Sequence, residues 1–426
     1  MADEIKIIGS GITGLSAGYH LKDGYEIFER DSRIGGLCRS ENIDGFIFDH
    51  SIHLLYSKDP YVTGLIKKVL AENFNSMTRE AWIYYLGKYV RYPFQANTFG
   101  LPTDVIKECV MGLIEAKYVD KINPTNFEEW INSTFGHGIA KHFMLPYNKK
   151  IWAIPTHLLD FNWVKDRIPI PNMEDVIVGA VSDQKKGFGD NAQFWYPAKG
   201  GMESLPNGFL PYVKNIRLNS EVTKIFVEKK KMIVNGVREV SYSKIISTIP
   251  LPTLVKIIDN VPKEVEDAAK KLEYNWVFAV NIGIDRPKIS NKHWVYYPEE
   301  KFIFHRISFP MNLSPFNAPK GKSSITAEIS GSKYKPVDRD NIEERVLGDL
   351  QEAGVLNKND KILFTKTLLF NPAYIIYDLN HQKNVGVIHS FLMQNGIFPC
   401  GRFGEWEYFN MDHSILSGRD IVLKLR

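Results

Sequence analysis

Glycines near the start of the chain have the spacing of a loop that binds a phosphate-linked dinucleotide. Three of them directly follow the β-branched run at residues 5–8 and open an apolar helical pattern: Gly9, Gly11 and Gly14. The next predicted strand, at residues 25–28, ends in Glu29, twenty residues after Gly9. Such glycines permit a tight turn and let a pyrophosphate approach the helix N-terminus, while the acid can bind a ribose hydroxyl. A glycine turn beside a surface glutamate is the alternative, but the strand–turn–helix context favours a dinucleotide site.

A second glycine pair identifies the dinucleotide more closely. Gly35 and Gly36 come shortly after the second predicted strand. This pair resembles the extended FAD fingerprint of the amine oxidase-like flavoproteins, in which further backbone N–H groups reach the phosphates. The resemblance implies that the cofactor is FAD. The N-terminal residues expected to contact it are Gly9, Gly11, Thr13, Gly14, Glu29, Arg30, Gly35, Gly36 and Leu37.

The remaining patterns predict the elements that must position this loop and a substrate. An apolar stripe over residues 104–119 predicts an amphipathic helix. Short β-like runs predict strands at residues 221–227, 231–236, 244–250, 276–283, 294–297 and 323–330. The fold class is therefore α/β, with a Rossmann-like FAD-binding domain, a helical insertion and an antiparallel-sheet substrate domain. The predicted boundaries are 1–78, 185–250 and 385–426 for FAD binding, 98–184 for the helical domain that caps the substrate, and 79–97 with 251–384 for the sheet domain.

Composition excludes several other classes of protein. The 426 residues are 44% hydrophobic and 24% charged, which is typical of a globular protein of two or three domains. The net charge of +4 is too small to indicate nucleic-acid binding, and no apolar run approaches the ~20 residues that would predict membrane insertion. The three cysteines do not have metal-ligand or disulfide spacing. We expect a cytoplasmic protein without a metal, and the sequence leaves a homo-oligomer open.

Five later blocks make the resemblance more specific. They occupy residues 92–97, 146–155, 196–201, 294–306 and 401–408, and the last is followed by Asp412-His413-Ser414. In content and order they resemble the UDP-galactopyranose mutases, and more closely the eukaryotic-type branch of that family. The resemblance runs essentially from one end of the chain to the other. The block at 401–408 is the most diagnostic, because a general amine oxidase is not expected to carry it.

The resemblance implies a function. Members of this family interconvert the pyranose and furanose forms of a nucleotide sugar without net redox change, through a covalent adduct of reduced flavin N5 with the anomeric carbon. It therefore implies an isomerase of cell-surface polysaccharide biosynthesis that uses reduced FAD. The expected substrate is UDP-galactopyranose or a related NDP-hexose, with UDP the favoured nucleotide and the base and sugar left open. NAD(P)H is a candidate reductant. The chemistry is nucleophilic catalysis in which the cofactor supplies the covalent partner.

The same resemblance assigns roles to individual residues. Arg306 and Arg402 match the two arginines that hold the diphosphate, and guanidinium forks suit a pyrophosphate better than an ammonium group does. Together with His53, which matches the histidine beside the flavin, they are the expected catalytic residues. Further expected FAD contacts are Gly401, Asn410, Met411 and Ser414. The remaining expected substrate contacts are Tyr92, Phe94, Gln95, Asn148, Trp152, Arg167, Asn191, Trp294, Tyr296, Tyr374 and Tyr408.

Three departures from the family pattern are visible. Ser51 and Ile52 stand where the family usually has two glycines before the histidine, and Ile52 cannot easily take a positive φ. We therefore expect a restricted or altered loop at this point. Leu313 replaces a tyrosine that is expected near the diphosphate. The segment between Tyr408 and Asp412 is two residues shorter, which leaves the role of Asn410 open.

Two other functions compete with the mutase interpretation. A flavin oxidase or desaturase of the amine oxidase or protoporphyrinogen oxidase type would share the N-terminal fingerprint. It would need an apolar substrate tunnel and would not need two arginines that converge on one anion. A non-catalytic FAD-containing scaffold is the third alternative. For Trp152 and Trp294, the alternative to a substrate contact is a position in the hydrophobic core.

Overall fold

The computed structural model describes residues 4–118, 123–164, 167–189 and 191–426. The strands within these ranges are β1 (Ile5–Ile8), β2 (Tyr25–Phe28), β3 (Ser40–Ile43), β4 (Phe46–Asp49), β5 (Asn75–Thr78), β6 (Ala81–Tyr85), β7 (Lys88–Arg91), β8 (Gln193–Tyr196), β9 (Ile216–Arg217), β10 (Val222–Phe226), β11 (Lys231–Val234), β12 (Arg238–Ser241), β13 (Lys244–Ser247), β14 (Trp276–Ile284), β15 (Trp294–Tyr296), β16 (Arg306–Ser308), β17 (Ser323–Gly331), β18 (Ile362–Phe370) and β19 (Ile397–Pro399). The α-helices are α1 (Ile12–Leu21), α2 (Pro60–Leu70), α3 (Thr103–Tyr118), α4 (Phe127–Ile139), α5 (Leu145–Trp152), α6 (Met173–Val181), α7 (Ser204–Asn207), α8 (Leu251–Ile257), α9 (Lys263–Lys270), α10 (Ile342–Glu352), α11 (His381–Gln394) and α12 (Met411–Leu425).

A five-stranded parallel sheet carries the glycine loop. Its strand order is β19-β13-β1-β2-β9, and each neighbouring pair is parallel. The central strand β1 is buried along its whole length, which explains its continuous run of apolar side chains. The predicted strands at residues 5–8 and 25–28 are confirmed, and so is the mixed α/β fold class.

A seven-stranded sheet forms the second layer. Its order is β18-β14-β17-β16-β15-β6-β7. Neighbouring strands are antiparallel except for β6 and β15, which run parallel. The sheet predicted as antiparallel therefore contains one parallel pair, because β6 comes from an early segment of the chain that the sequence pattern did not pair with β15. The smaller sheets are β10-β11-β12, β3-β4 and β5-β8.

The helical insertion is built around a close crossing of α3 and α4. The predicted helix at 104–119 is observed as Thr103–Tyr118, with Val105, Cys109 and Leu113 buried, and its last residue Val119 lies outside the described residues. Gly136 interrupts α4 with φ +77°, and a Cβ there would lie 2.0 Å from the carbonyl oxygen of Gly112. Glycine is thus required at this position both by the backbone conformation and by the helix contact.

Two features are absent from the described residues, a membrane-spanning helix and a metal site. No helix in them is long and apolar enough to cross a membrane. No group of three or more histidine, cysteine or acidic side chains in the same ranges could hold a metal ion. The three cysteines are unpaired and buried.

Candidate functional site

One large cavity, of about 970 Å³, extends from the first glycine loop of the parallel sheet to the strands of the seven-stranded sheet. This volume is at the upper end of the range for small-molecule and cofactor sites. Residues from distant parts of the sequence line it, including Gly11, Glu29, His53, Arg306 and Arg402. The glycine fingerprint and the predicted arginines therefore share one space.

The three fingerprint glycines have different physical roles. Gly9 has φ +98°, and a Cβ there would lie 2.3 Å from the hydroxyl of Thr248. A Cβ on Gly14 would lie 2.1 Å from the carbonyl oxygen of Gly9, so Gly14 lets α1 pack closely on the turn. A Cβ on Gly11 would meet no atom within 4 Å. Gly11 thus faces open space in the cavity, where a phosphate of a dinucleotide would lie.

Two helix N-termini face this end of the cavity. The first is α1, which begins at Ile12, and the second is α12, which begins at Met411. The helices pack side by side, and the Ser16 hydroxyl donates a hydrogen bond of 2.7 Å to the carbonyl of Ile415. Unpaired N–H groups and the helix dipole favour an anion at such positions. Asn410, which precedes α12, and Ser414 also line the cavity.

Glu29 retains capacity to bind a ribose. Its carboxylate accepts hydrogen bonds from the backbone N–H and hydroxyl of Ser10, at 2.8 and 2.7 Å, and from the N–H of Asp31 at 3.0 Å. A carboxylate has about four acceptor positions, so at least one is left for a ligand hydroxyl. Together with the space at Gly11 and the two helix N-termini, this arrangement fits FAD.

Most of the other residues expected to contact FAD reach the same wall, but two do not. Thr13, Arg30, Gly35, Gly36 and Leu37 line the cavity. Gly14 and Gly401 do not, because both are packed against backbone and side chains behind the wall. A Cβ on Gly401, for example, would lie 2.2 Å from the hydroxyl of Thr13. Their expected direct contact with FAD is therefore corrected to a packing role.

The loop before His53 adopts a strained conformation at the serine. Ser51 has φ +68°, and Ile52 is not among the residues with positive φ. His53 places Nδ1 3.1 Å from the carbonyl oxygen of Ser51. Burial, with a smaller effect of the Arg402 charge, lowers the pKa of His53 to about 4. The imidazole is thus neutral near pH 7, and with Nδ1–H donating to Ser51 its Nε2 is a hydrogen-bond acceptor.

Arg306 is held by a buried carboxylate. Its Nε and Nη2 lie 2.8 and 2.5 Å from Oε2 of Glu328, whose side chain is 1% exposed. The other oxygen of Glu328 accepts hydrogen bonds from the Ser51 hydroxyl at 2.5 Å and the Ile52 N–H at 3.2 Å. Burial alone would raise the pKa of Glu328, but the Arg306 charge, the neighbouring His305 side chain and the Ser51 hydroxyl hold it well below its usual range. The carboxylate is therefore ionised and offsets the charge of Arg306.

Arg402 is anchored by backbone carbonyls and has no carboxylate partner among the described residues. Its Nη1 and Nη2 donate to the carbonyls of Phe409 and Ala373, at 2.8 and 3.1 Å. Its buried Nε makes no hydrogen bond to any described residue. The guanidinium lies 4.8 Å from the ring centre of Tyr408 and 5.6 Å from that of Tyr374. A fixed cation at the cavity wall, with no carboxylate partner among the described residues, suits an anionic ligand.

Aromatic side chains complete this end of the cavity. Burial raises the pKa of Tyr374, and the positive charges of Arg306 and Arg402 both oppose that shift. Tyr374 therefore lies close enough to both guanidinium groups for their charges to affect its pKa. Arg167 lies with its guanidinium 4.9 Å from the ring centre of Tyr408. The predicted substrate residues that line the cavity are Asn191, Trp294, Tyr296, Arg306, Tyr374, Arg402 and Tyr408.

Six predicted substrate residues do not line the cavity. One is Arg167, and among the other five Phe94 and Gln95 are the most deeply buried. Phe94 is 0% exposed and stacks on Phe143 with ring centres 5.1 Å apart, so its expected ligand contact is wrong in this structure. Gln95 is 2% exposed, and its amide donates to the carbonyl of Pro169 at 2.7 Å. Both side chains lie in the core below the cavity wall.

The other three residues form a layer behind the wall. The indole of Trp152 donates to the side-chain oxygen of Asn148 at 3.0 Å. The Trp152 ring packs edge-on against Tyr374 and Tyr408 at 5.7 and 5.8 Å, so it supports residues that could touch a ligand. Tyr92 stands 5.3 Å from Tyr296. These three predicted contacts are corrected to supporting positions.

Leu313 requires a similar correction. It was expected near the diphosphate, where it would leave one hydrogen bond missing. It is 3% exposed, belongs to the hydrophobic core beside the parallel sheet and does not line the cavity. The replacement of a tyrosine at this position therefore removes no group from the described cavity wall.

The sequence interpretation missed Glu328. A signal was present, because an acidic residue interrupts the otherwise uncharged run of residues 323–331. A carboxylate in the middle of a buried strand needs a cationic partner, which predicts a neighbouring arginine or lysine. The partner, Arg306, could not be identified without the pairing of β16 with β17.

Comparisons with known proteins agree with this geometry. The flavin containing amine oxidoreductase family matches residues 12–367. The crystal structure of a reduced UDP-galactopyranose mutase is similar over 100% of this chain and 96% of that chain, with a TM-score of 0.95 and 29% sequence identity. Coproporphyrinogen III oxidase of Staphylococcus aureus (strain NCTC 8325 / PS 47) is 23% identical over 377 residues, which are 77% of this chain and 78% of the oxidase. A putrescine oxidase bound to putrescine shares the fold, with a TM-score of 0.69 and 16% identity over 100% of this chain and 99% of that one.

Proposed function

Since this chain belongs to the flavin containing amine oxidoreductase family, we propose that it is an FAD-dependent isomerase that interconverts the pyranose and furanose forms of a nucleotide sugar. UDP-galactopyranose or a related UDP-hexose is the proposed substrate. The observation that carries the proposal is that Arg306 and Arg402, far apart in sequence, line one cavity with the dinucleotide loop. The similarity to a reduced UDP-galactopyranose mutase over the whole chain supports it.

The two arginines suit a substrate that gains negative charge as it reacts. When the bond between the sugar and the diphosphate breaks, the departing group carries more charge than it did in the substrate. Fixed cations that bind this group more strongly at that moment lower the barrier and keep it close for recapture. Arg402 lines the cavity without a carboxylate partner among the described residues, and Arg306 offers a guanidinium whose orientation Glu328 fixes.

Reduced FAD, when bound, supplies the nucleophile for the anomeric carbon. Gly11, the N-termini of α1 and α12, and Glu29 would hold its phosphates and ribose. His53 lines the cavity next to Ser51 and Ile52 and is neutral near pH 7, so it would present an acceptor nitrogen and no positive charge. Tyr374 and Tyr408 can donate hydrogen bonds to phosphate oxygens while their rings exclude water.

We propose several further properties together with this activity. They are the eukaryotic-type branch, reduction by NAD(P)H, the role in cell-surface polysaccharide synthesis, the cytoplasmic location and the predicted domain boundaries. The coproporphyrinogen III oxidase relative keeps an oxidase as the second candidate. An oxidase needs no pair of arginines beside the cofactor, which is why the mutase is preferred.

One experiment separates the two candidates. FAD-loaded protein is incubated with UDP-galactopyranose under anaerobic conditions, with and without dithionite, and the UDP-sugars are separated by chromatography. The proposal expects the furanose form to appear only with reduced flavin. In parallel, oxygen uptake is measured with coproporphyrinogen III. Oxygen consumption with peroxide formation, and no isomerisation in either redox state, would replace the mutase by the oxidase.

A further inference from the structure

Glu328 connects two parts of the cavity wall through its two carboxylate oxygens. One oxygen binds the guanidinium of Arg306, and the other binds the Ser51 hydroxyl and the Ile52 N–H. Both ends of this connection, Arg306 and the 51–53 loop, line the cavity, whereas Glu328 does not. A single buried carboxylate therefore fixes an anion-binding side chain and the loop that carries His53.

Ser51 makes this connection at a cost to its own backbone. Its φ of +68° lies in the left-handed region, which glycine adopts freely and serine does not. Such a conformation persists when surrounding contacts determine it. Here the hydroxyl bond to Glu328 and the carbonyl bond to His53 do so. A glycine here would adopt this φ without strain, whereas the serine adds a side-chain hydrogen bond that attaches the loop to Glu328.

We propose that Glu328 is a positioning residue that acts through Ser51 as a tether, holding the His53 loop in one conformation while it partly neutralises Arg306. The inference rests on the proposed function for its ligand, a nucleoside diphosphate, but the tether is a property of the protein without that ligand. It follows that the charge of Arg306 is fully available to a phosphate only when Glu328 is neutral or displaced. One carboxylate thus contacts both the loop and the anion site.

The charge half of the inference is tested with UDP as the probe. In Glu328→Gln the amide oxygen can still accept from Arg306, but the negative charge is gone. We expect UDP to bind the FAD-loaded variant more tightly than the parent, by roughly tenfold at low salt, because the Arg306 charge is no longer offset. A merely structural role for Glu328 would instead weaken UDP binding. Glu343→Gln is the matched control, because Glu343 bonds Thr365 and Thr367 outside the cavity.

The tether half is tested by amide hydrogen exchange of the FAD-loaded protein without UDP. In Ser51→Ala the hydroxyl is lost while the charges at Glu328 and Arg306 are unchanged. We expect exchange at residues 52–54 to become faster by on the order of tenfold, the value of one hydrogen bond to a charged acceptor, with UDP affinity close to that of the parent. Ser51→Gly should loosen the loop further, because it also removes the backbone constraint.

The outcomes decide the inference separately from the proposed function. Unchanged exchange in Ser51→Ala would overturn the tether. Equal or weaker UDP binding by Glu328→Gln, with the control unchanged, would overturn the neutralisation of Arg306. If the FAD-loaded parent does not bind UDP at all, the proposed function and the charge half both fail. The exchange measurement then still decides whether Glu328 and Ser51 hold the loop.

Discussion

Single atoms determine whether a phosphate can approach the first loop. Gly9 and Gly14 are required for the fold itself, because any Cβ there would overlap neighbouring atoms. Gly11 is different, because its φ of −66° suits any residue and its Cβ direction is open. Function and folding can thus be separated within one short motif.

We predict that Gly11→Ala folds normally but does not retain FAD, because the new methyl group occupies the space of the pyrophosphate. The measurements are the unfolding transition of the apoprotein and the flavin absorbance after purification. Gly64→Ala is the matched control, since its Cβ also meets nothing within 4 Å but lies in α2. A yellow Gly11→Ala protein with normal FAD content would contradict the assignment of this loop.

The arginines call for different substitutions. Arg402→Ala is expected to weaken UDP binding by about 2–5 kcal/mol, the range for truncating one partner of a buried charge pair. Arg306→Ala would leave Glu328 buried without its cation and confound binding with misfolding, so Arg306→Lys is the better variant. We expect it to weaken UDP binding by about tenfold, because an ammonium cannot serve Glu328 and a diphosphate together. Calorimetry with UDP checks both variants, and Arg345→Ala, which truncates a half-exposed side chain of α10, should bind like the parent.

His305 gives a pH dependence of stability. Burial lowers the pKa of His305 to about 4, so the folded state binds this proton less readily than the unfolded chain, whose histidine pKa is about 6.5. The stabilisation is therefore complete above pH 6.5 and is lost as pH falls towards 4, with an upper limit of about 3 kcal/mol. Urea unfolding at pH 7 and pH 5 should show a smaller difference for His305→Asn than for the parent. An identical difference would mean that His305 titrates normally.

For single residues, the sequence indicated which blocks lie near the cavity better than it indicated which side chains are exposed to it. Arg306, Arg402, Tyr374 and Tyr408, which the motifs assigned to one diphosphate site, line one cavity. They could not distinguish Tyr296, on the wall, from Phe94, in the core, because both belong to aromatic blocks and only packing decides which ring faces the ligand. Glu328 escaped because its importance depends on a strand pairing that local sequence does not encode.

Local sequence patterns predicted the strands that have clear boundary residues on both sides. The strands at 5–8 and 25–28 are bounded by glycine and charged residues, and they appear with the same limits. The parallel pairing of β6 with β15 was not foreseen, since it joins residues about two hundred positions apart. Element type was thus readable from the chain, whereas the partner of each strand was not.

The crossing of α3 and α4 provides a prediction for an element. Gly136→Ala should destabilise the protein by about 3 kcal/mol or more, because the methyl group would lie against the Gly112 carbonyl and the backbone has φ +77°. Gly348→Ala in α10 is the control, as its Cβ meets nothing, and it should stabilise slightly, by up to about 1 kcal/mol. Chemical denaturation measures both. Equal stabilities would show that the helices can separate without loss.

For the whole molecule, the shared cavity means that cofactor and substrate sites cannot be assembled independently. The parallel sheet contributes the glycine loop, and the seven-stranded sheet contributes Arg306 and Trp294. Arg402 follows the edge strand β19 of the parallel sheet and reaches the carbonyl of Ala373, which comes after the edge strand β18 of the other. The anion site is thus built where the two sheets meet.

The packing of α12 on α1 determines when during synthesis the chain can bind FAD. The hydrogen bond between Ser16 and Ile415 joins residues 399 positions apart, and both helices face the part of the cavity that we propose for the pyrophosphate. A ribosome adds residues from the N-terminus onwards at roughly 5–20 per second. A nascent chain therefore spends most of its synthesis with the glycine loop made and half of its phosphate cradle still untranslated. Ribosome-stalled chains ending at residue 400 should not retain FAD, which flavin fluorescence of the stalled complexes would show, because cofactor capture would require that α12 has been synthesised.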